Sequence, residues 1–228
     1  MSDDESYCLT DIYPIEQTIE IYKYTFFDNI NLKIKGQELQ NVNTQPSTGL
    51  LPWPASSILA NYISKYNQEF KDKNILELGS GVGIGALVAS KYTDRVMITD
   101  GDDKIFDLLD ENLQLNQELF RIKPIIKLLL WGENQTLQNF EFHSYDTIIG
   151  SDLIYVNDSI DPLFYTVDKL LSMNSESTFY LSFLDRKNHL PVIEKVSLKY
   201  KFNMISINLN DFIEKPISNS KMFKFTRM

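Results

Sequence analysis

The order of hydrophobic and polar residues divides the chain into a short N-terminal strand region and a long region of alternating elements. Residues 18–27 alternate apolar and polar positions, which is typical of a half-buried strand, and residues 32–34 could form its short partner. Beyond Pro54 the apolar residues recur at helical spacing. A helix is therefore predicted to begin there, with the proline in its first turn.

From residue 74 onward, short apolar runs of strand type alternate with amphipathic helical patterns. The strands are predicted at residues 74–78, 95–99, 124–130, 145–151, 177–184, 202–208 and 221–226. The helices are predicted at residues 83–92, 104–116, 159–172 and 188–199. This alternation indicates an α/β fold, in which a seven-stranded, mostly parallel sheet carries helices on both faces. Since no convincing helix separates the final two strands, the last strand should run antiparallel.

The same pattern suggests two regions. Residues 1–48 are interpreted as an N-terminal extension, made of a poorly ordered polar tail, short β-strands and a loop with many turn formers. Residues 49–228 are interpreted as one domain with a sizeable hydrophobic core.

Composition and charge narrow the range of functions. Of the 228 residues, 43% are hydrophobic and 23% are charged, so global disorder is not expected. The net charge of −9 argues against stable binding to nucleic acid as the main task. It is compatible with simple solubility or with a basic partner such as a Lys-rich protein segment.

Few residues are available for disulfides, metals or membranes. Cys8 is the single cysteine and His143 and His189 are the only histidines, so neither a disulfide framework nor a metal site is expected. No apolar run reaches the roughly 18 residues that span a bilayer, and the acidic N-terminus lacks the pattern of a signal peptide. We therefore expect no membrane contact, a monomeric state, and a cytoplasmic location, with the nucleus also compatible.

Candidate chemistry begins where the first strand of the long region ends. Gly79, Gly81, Gly83 and Gly85 stand at alternate positions between a strand and a helix. Glycines let the backbone approach a ligand closely, and the helix N-terminus behind them offers free N–H groups. The segment is therefore predicted to hold a nucleotide-like cofactor.

Two cofactors fit this glycine loop. Read from Gly81, the spacing Gly81-x-Gly83-x-x-Ala86 matches the dinucleotide fingerprint. However, the strand ends just before Gly79, so the loop starts there, and Glu77 stands two residues earlier. This arrangement favours S-adenosyl-L-methionine over NAD. The Glu77 carboxylate would then act through water or backbone amides on the amino-acid end of the ligand.

An acidic residue also ends the next strand. Asp100 follows the loop by about twenty residues, and a carboxylate there can accept hydrogen bonds from both hydroxyls of a ribose. Its alternative interpretation is a helix cap or a turn residue. Asp102 and Asp103 follow directly and are interpreted as solvated residues at a helix start.

Four segments of the chain form a recognisable set. They are Gly49-Leu50-Leu51-Pro52-Trp53-Pro54-Ala55, Leu76-Glu77-Leu78-Gly79-Ser80-Gly81-Val82-Gly83, Leu129-Leu130-Trp131-Gly132 and Ser151-Asp152-Leu153-Ile154-Tyr155. Together they resemble the seven-strand protein-lysine methyltransferases of methyltransferase family 16, over roughly residues 48–185. The glycine segment alone is shared by methyltransferases of many kinds, whereas Trp-Pro-Ala together with Asp-x-x-Tyr is much more specific.

The resemblance implies a Rossmann-like seven-strand fold and N-methylation of a lysine in a protein substrate, with S-adenosyl-L-methionine as the cofactor. The acceptor site is assigned to Asp152 and Tyr155. The cofactor contacts are then assigned to Glu77, Asp100 and four residues of the glycine loop, namely Gly79, Ser80, Gly81 and Gly83. The resemblance adds Trp53, Trp131 and Ser151 from the other matching segments.

Asp152 and Tyr155 also suit the chemistry. An acceptor lysine must be neutral, yet its ordinary pKa near 10.4 leaves only about one molecule in a thousand neutral at pH 7.4. Desolvation in an apolar site lowers this pKa. Asp152 could then orient the amine, and Tyr155 could form the wall of the lysine channel. Alternatively, Asp152 caps a turn and Tyr155 is ordinary packing.

Other functions stay open from the sequence alone. A methyltransferase of small amines or of nucleic acid could share the fold, although the Asn-Pro-Pro-aromatic motif used for base amines is missing after the fourth strand. A non-catalytic binding module is disfavoured by Glu77, Asp100 and Asp152. Arg186, just after a strand, could bind a substrate carboxylate or could simply be solvated.

Overall fold

The structure is a computed structural model that describes residues 19–38 and 48–228. In these ranges the strands are β1 (Ile19–Phe26), β2 (Ile30–Gln37), β3 (Ile75–Leu78), β4 (Val96–Asp100), β5 (Ile125–Leu128), β6 (Thr147–Ser151), β7 (Thr178–Leu184), β8 (Phe202–Ser206) and β9 (Ser220–Arg227). The α-helices are α1 (Pro54–Lys65), α2 (Ile84–Ala89), α3 (Phe106–Leu115), α4 (Asn134–Leu137), α5 (Ile160–Leu170) and α6 (Leu190–Lys199). The tail that was predicted to be poorly ordered lies outside the described residues.

Strands β3 to β9 form one sheet in the order β5-β4-β3-β6-β7-β9-β8. Parallel pairs join β3 to β4 and to β6, β4 to β5, and β6 to β7. Strand β9 lies antiparallel between β7 and β8. The prediction of a seven-stranded, mostly parallel sheet with an antiparallel last strand is therefore confirmed. After β3 the chain forms β4 and β5 on one side of that strand, and it then returns to form β6 on the other side. At such a reversal of strand order a crevice opens at the carboxyl ends of the strands, where sheets of this kind bind ligands.

Helices cover both faces of this sheet, as the sequence predicted. Side chains alternate along each strand, so that Ile148 belongs to one hydrophobic cluster and Ile149 to the other. The first cluster contains residues of α1, α2 and α3, and the second contains residues of α4, α5 and α6. Burial on both faces explains why the central strands are nearly continuous apolar runs in the sequence.

Strands β1 and β2 form a separate antiparallel two-stranded sheet. Alternate side chains of β2, namely Ile30, Leu32 and Ile34, join the first hydrophobic cluster of the large sheet. The hairpin is thus packed against the main body of the protein through β2. The predicted division of the chain at residues 48 and 49 stays a prediction.

Asn112 in α3 and Asn116 at its C-terminal end hydrogen-bond to the backbone of β2 in this hairpin. The Asn112 side chain accepts a hydrogen bond from the Lys35 N–H at 2.7 Å and donates one to the Lys35 carbonyl at 2.9 Å. Asn116 makes the same pair of bonds with Lys33, at 2.9 and 2.8 Å. These amides therefore satisfy backbone groups along the edge of β2 that β1 leaves unpaired.

The helices differ in two places from the sequence-based prediction. Helix α2 ends at Ala89, because tight turns close at Lys91 and Tyr92, where the helix was expected to continue. Helix α4 is a single turn, too short for a periodic pattern to show in the sequence. None of the helices found in residues 19–38 and 48–228 is long and apolar enough to cross a membrane.

Candidate active site

A cleft of about 470 Å³ lies at the carboxyl ends of β3, β4 and β6. From β3, β4 and the segment after β5, it is lined by Gly79, Gly81, Asp100 and Trp131. From the start of α1 and the end of β6, it is lined by Trp53, Ser151, Asp152 and Tyr155. Eight of the eleven residues predicted from the sequence therefore share one cavity. The other three, Glu77, Ser80 and Gly83, do not line it.

The glycine loop adopts backbone conformations that other residues avoid. Gly79 and Gly81 have φ angles of +54° and +52°. A Cβ atom at Gly81 would lie 3.0 Å from the carbonyl oxygen of Gly49, and one at Gly79 would lie 3.2 Å from the Trp131 indole. Since both the angle and the space exclude a side chain, the exposed backbone of the loop forms the floor of the cleft.

Asp100 holds this loop in place. Its Oδ2 accepts a hydrogen bond from the Gly81 N–H at 3.0 Å, and its Oδ1 accepts one from the Asp102 N–H at 3.1 Å. Burial raises the pKa of the Asp100 carboxyl, although these amides oppose the shift. An ionised carboxylate has about four lone-pair positions, so it can still accept hydrogen bonds from ligand hydroxyls.

Glu77 lies behind the loop. Its side chain is fully buried, and its Oε2 accepts a hydrogen bond from the Ala86 N–H at 3.0 Å. Burial raises the pKa of Glu77 to about 8, while the Ala86 bond lowers it and the nearby Asp100 charge raises it further. A Cβ atom at Gly85 would lie 2.3 Å from the carboxylate. Glu77 therefore fixes the first turn of α2 through a backbone amide, and its expected action on a ligand stays a prediction.

Ser80 and Gly83 shape the loop from within. The Ser80 N–H donates to the Thr99 carbonyl at 3.0 Å, and the Gly83 N–H donates to the Ser80 carbonyl at 2.9 Å. The Ser80 hydroxyl is buried and has no hydrogen-bond partner within the described part of the chain. At Gly83, which has a φ of +85°, a Cβ atom would overlap the Leu109 side chain.

The two tryptophans meet the cleft in different ways. Trp131 packs its indole against Gly79, directly over the glycine loop. Trp53 is the N-cap residue of α1, and its indole N–H donates to the Thr48 carbonyl at 2.8 Å. Trp131 is therefore placed on the side of the glycine loop, and Trp53 on the side of Asp152.

Asp152 connects three elements at the edge of the cleft. Its Oδ2 accepts a hydrogen bond from the Ala55 N–H and its Oδ1 accepts one from the Leu184 N–H, both at 3.0 Å. Its own N–H donates to the Ser182 carbonyl at 2.8 Å. The Asp152 backbone has a φ of +52°, a strained conformation for a non-glycine residue. This carboxylate therefore joins the first turn of α1 to the end of β7, and only 3% of its side chain is exposed.

Ser151 and Tyr155 flank Asp152 in the chain. Ser151 is the last residue of β6 and is half-buried. Tyr155 is 58% exposed, and it lines the cleft. Its exposure leaves the ring free to contact a second molecule.

The structure adds residues that the sequence did not single out as site residues. Leu129 and Leu130 form an apolar wall of the cleft, and Asp102 adds a third carboxylate to those of Asp100 and Asp152. The two leucines directly precede Trp131, so their position in the same segment was the available signal. Asp102 was expected to be a solvated helix-start residue, and it does accept a hydrogen bond from the Lys104 N–H at 3.1 Å.

The residues of the cleft fit a nucleoside with a positive charge. Asp100 can hold ribose hydroxyls, and Leu129 and Leu130 offer an apolar surface for a base. The carboxylates of Asp102 and Asp152 add negative charge that favours a cationic ligand. Among the described residues that line the cleft there is no Lys or Arg, so a pyrophosphate would meet no positive side chain. S-adenosyl-L-methionine therefore fits this site, and it fits better than NAD. No group of three or more potential metal ligands occurs in the two described ranges.

Comparison with known proteins identifies a family. A family model described as lysine methyltransferase matches residues 27–196. Mouse protein N-lysine methyltransferase METTL21A is 32% identical over 54% of this chain and 56% of its own length. Calmodulin-lysine N-methyltransferase from Arabidopsis thaliana is 27% identical over 78% of this chain and 59% of its own length. The chain thus spans somewhat more than half the length of these two relatives.

Solved structures give the same fold. Magnesium protoporphyrin IX methyltransferase from Synechocystis, with bound SAM (S-adenosylmethionine), superimposes with a TM-score of 0.53. It is 16% identical to this chain, and the match covers 76% of this chain and 78% of the other. At this identity the similarity concerns the Rossmann-like methyltransferase fold alone.

Proposed function

Because the chain belongs to the lysine methyltransferase family, we propose that it methylates the side-chain amine of a lysine in a protein substrate, with S-adenosyl-L-methionine as the methyl donor. One observation carries this proposal. The carboxylate of Asp152 accepts a hydrogen bond from the backbone N–H of Ala55, so the Trp-Pro-Ala segment and the Asp-x-x-Tyr segment meet beside the glycine loop. The two segments that made the sequence resemblance specific therefore lie together at the cleft, which supports the proposal.

On the donor side, the cofactor supplies a methyl group activated on a sulfonium. The backbone of Gly79 and Gly81 would lie along the ligand, and Asp100 would accept hydrogen bonds from its ribose hydroxyls. Trp131 covers Gly79 and would exclude water from that end of the cleft. Ser80 and Gly83 keep the loop in shape, while Ser151 and Trp53 would complete the wall.

On the acceptor side, Asp152 would orient the lysine amine. Two of its lone pairs are used by the Ala55 and Leu184 amides, and the remaining ones can accept hydrogen bonds from an amine that enters the cleft. Tyr155 would form the wall of the lysine channel, where its ring can attract the methylated cation. The chemistry then requires mainly alignment of the amine with the donor and exclusion of water.

The remaining expectations belong to the same proposal. The protein would act as a monomer on a protein substrate, without stable binding to nucleic acid, in the cytoplasm or the nucleus. Residues 49–228 would form the methyltransferase domain, with residues 1–48 as an extension. The net charge of −9 and the lack of Lys and Arg among the described residues that line the cleft support the expectation on nucleic acid.

The proposal is tested by incubating the full chain with radiolabelled S-adenosyl-L-methionine and an extract of the source cell. A labelled protein band that contains methyllysine after hydrolysis is the expected result. Asp100→Ala should abolish the label and weaken S-adenosylhomocysteine binding in calorimetry. Asp103→Ala, an exposed residue of the same segment that does not line the cleft, should change neither. Label in small molecules or RNA alone would overturn the proposal.

A further inference from the structure

Arg186 places a positive charge at the edge of the acceptor side. Its guanidinium carbon lies 5.5 Å from the centre of the Trp53 ring, and its Nη1 lies 4.0 Å from Oδ1 of Asp152. The side chain is 46% exposed, whereas that of Asp152 is 3% exposed. Arg186 therefore places a guanidinium beside a carboxylate that is almost fully buried.

The loop that carries Arg186 has a defined conformation. The Asp185 N–H donates to the Asn219 carbonyl at 2.9 Å, and Oδ1 of Asp185 accepts a hydrogen bond from the His189 N–H, also at 2.9 Å. His189 is buried and its ring lies against Asp185. These contacts close the turn between β7 and α6, so Arg186 projects from a fixed base onto the indole of Trp53.

An acceptor lysine meets an electrostatic conflict at Asp152. The carboxylate helps to orient the amine, but its negative charge also stabilises the ammonium form, which cannot react. A guanidinium carries its charge at every pH at which enzymes work, so Arg186 can offset that effect continuously. Its stacking on Trp53 keeps the charge near Asp152 without using up the hydrogen-bond acceptors of the carboxylate.

We propose that Arg186 is a positioning residue that offsets the negative charge of Asp152, so that the acceptor amine stays neutral in the cleft. The proposal rests on the proposed lysine methylation. It assigns no contact between Arg186 and the methyl donor. It gives the Trp53 indole a second task, which is to hold the guanidinium at the acceptor side.

Other charged or titratable groups lie on the elements around Arg186 and Asp152. Those on the facing elements and on the loop of Arg186 are Glu77, Asp100, Asp102, Tyr155, Asp185, Lys187 and His189. Glu77 lies behind the glycine loop, and Asp185 is turned toward His189. Lys187 is the neighbouring exposed cation on the same loop, and it therefore provides the matched control.

The test measures kcat against pH, with the protein that the wild-type enzyme labels most strongly in the extract, isolated and used at saturating concentration. In Arg186→Met the rising limb of the profile should move up by about one pH unit, which corresponds to an about tenfold lower kcat at neutral pH. The rate should recover at high pH. Arg186→Lys, which keeps the charge, and Lys187→Met should follow the wild-type profile. Binding of S-adenosylhomocysteine should be the same in all four proteins.

Three outcomes would overturn this inference. An unshifted profile in Arg186→Met with a raised KM would mean that the side chain binds the substrate instead. The same shift in Arg186→Lys would show that charge is not the cause. If the wild-type chain yields no methyllysine at any pH while it binds S-adenosylhomocysteine, the proposed function fails and this inference fails with it.

Discussion

Raising the pH should destabilise the protein through one buried side chain, Glu77. The carboxyl lies behind the glycine loop at 1% exposure, and it accepts a hydrogen bond from the Ala86 N–H. Burial raises its pKa from an ordinary 4.5 to about 8. The folded protein thus holds a proton that the unfolded chain releases at much lower pH.

The sign and size of the effect follow from proton linkage. Between pH 4.5 and 8 the folded state binds more protons at this site than the unfolded state does, so the free energy of unfolding falls as the pH rises through this window. The shift of about 3.5 units corresponds to a loss of at most about 5 kcal/mol. Below pH 4.5 the loss is absent, and above pH 8 it is complete.

Chemical denaturation of the wild type and of Glu77→Gln, at intervals from pH 5 to pH 9, measures this loss. The Gln amide oxygen can still accept the hydrogen bond from Ala86, but the side chain no longer titrates. The stability of Glu77→Gln should therefore fall less with pH than that of the wild type. The difference between the two proteins isolates Glu77 together with its electrostatic coupling to Asp100, whose pKa burial also raises.

Glu118→Gln serves as the control, because Glu118 is an exposed glutamate, and it should follow the wild-type curve. The reasoning is refuted if the stability difference between the wild type and Glu77→Gln stays constant from pH 5 to pH 9. A constant difference would mean that the buried carboxyl does not change its protonation in this range.

Three further substitutions test the site and its supports. Gly81→Ala adds a Cβ atom at a φ of +52°, only 3.0 Å from the carbonyl oxygen of Gly49. The affinity for S-adenosylhomocysteine, measured by calorimetry, should therefore fall by at least about tenfold. Unchanged affinity would contradict the tight loop. Asp152→Ala leaves two amide groups without their acceptor, so the free energy of unfolding should fall by about 2–4 kcal/mol, whereas the exposed Asp158→Ala should have no effect. If both aspartate variants melt like the wild type, Asp152 does not join α1 to β7. Asn112→Leu removes the side chain that pairs with β2, so amide hydrogen exchange should speed up in residues 30–37, and exchange as slow as in the wild type would count against this anchor.

The sequence was sufficient for the arrangement of strands and helices in the large sheet. Alternation of apolar runs with helical stripes predicted all seven strands, and the missing helix before the last strand predicted its antiparallel direction. These features are local, because each depends on neighbouring residues within one turn or one strand. The single-turn helix α4 escaped prediction for the same reason, since four residues carry no period.

The sequence also predicted eight of the residues that line the cleft, and the physical reason is plainest for those at the ends of strands. Asp100 ends β4 and Asp152 directly follows β6, and the carboxyl ends of parallel strands meet at one edge of the sheet. The role of Glu77 was harder to predict, because the strand pattern gives its place in the chain but not the direction in which its carboxyl points. The structure turns it behind the loop toward Ala86, away from the cleft.

Side-chain partners that are distant in the chain were decided by the tertiary structure alone. The bonds from Asp152 to Ala55 and Leu184 join residues 97 and 32 positions apart, and Arg186 reaches Trp53 across a still longer separation in the chain. The sequence determined the elements and the glycine loop, because local backbone preferences encode them. The charge balance around Asp152 was decided by packing, since it depends on which strand ends and helix ends are brought together in three dimensions.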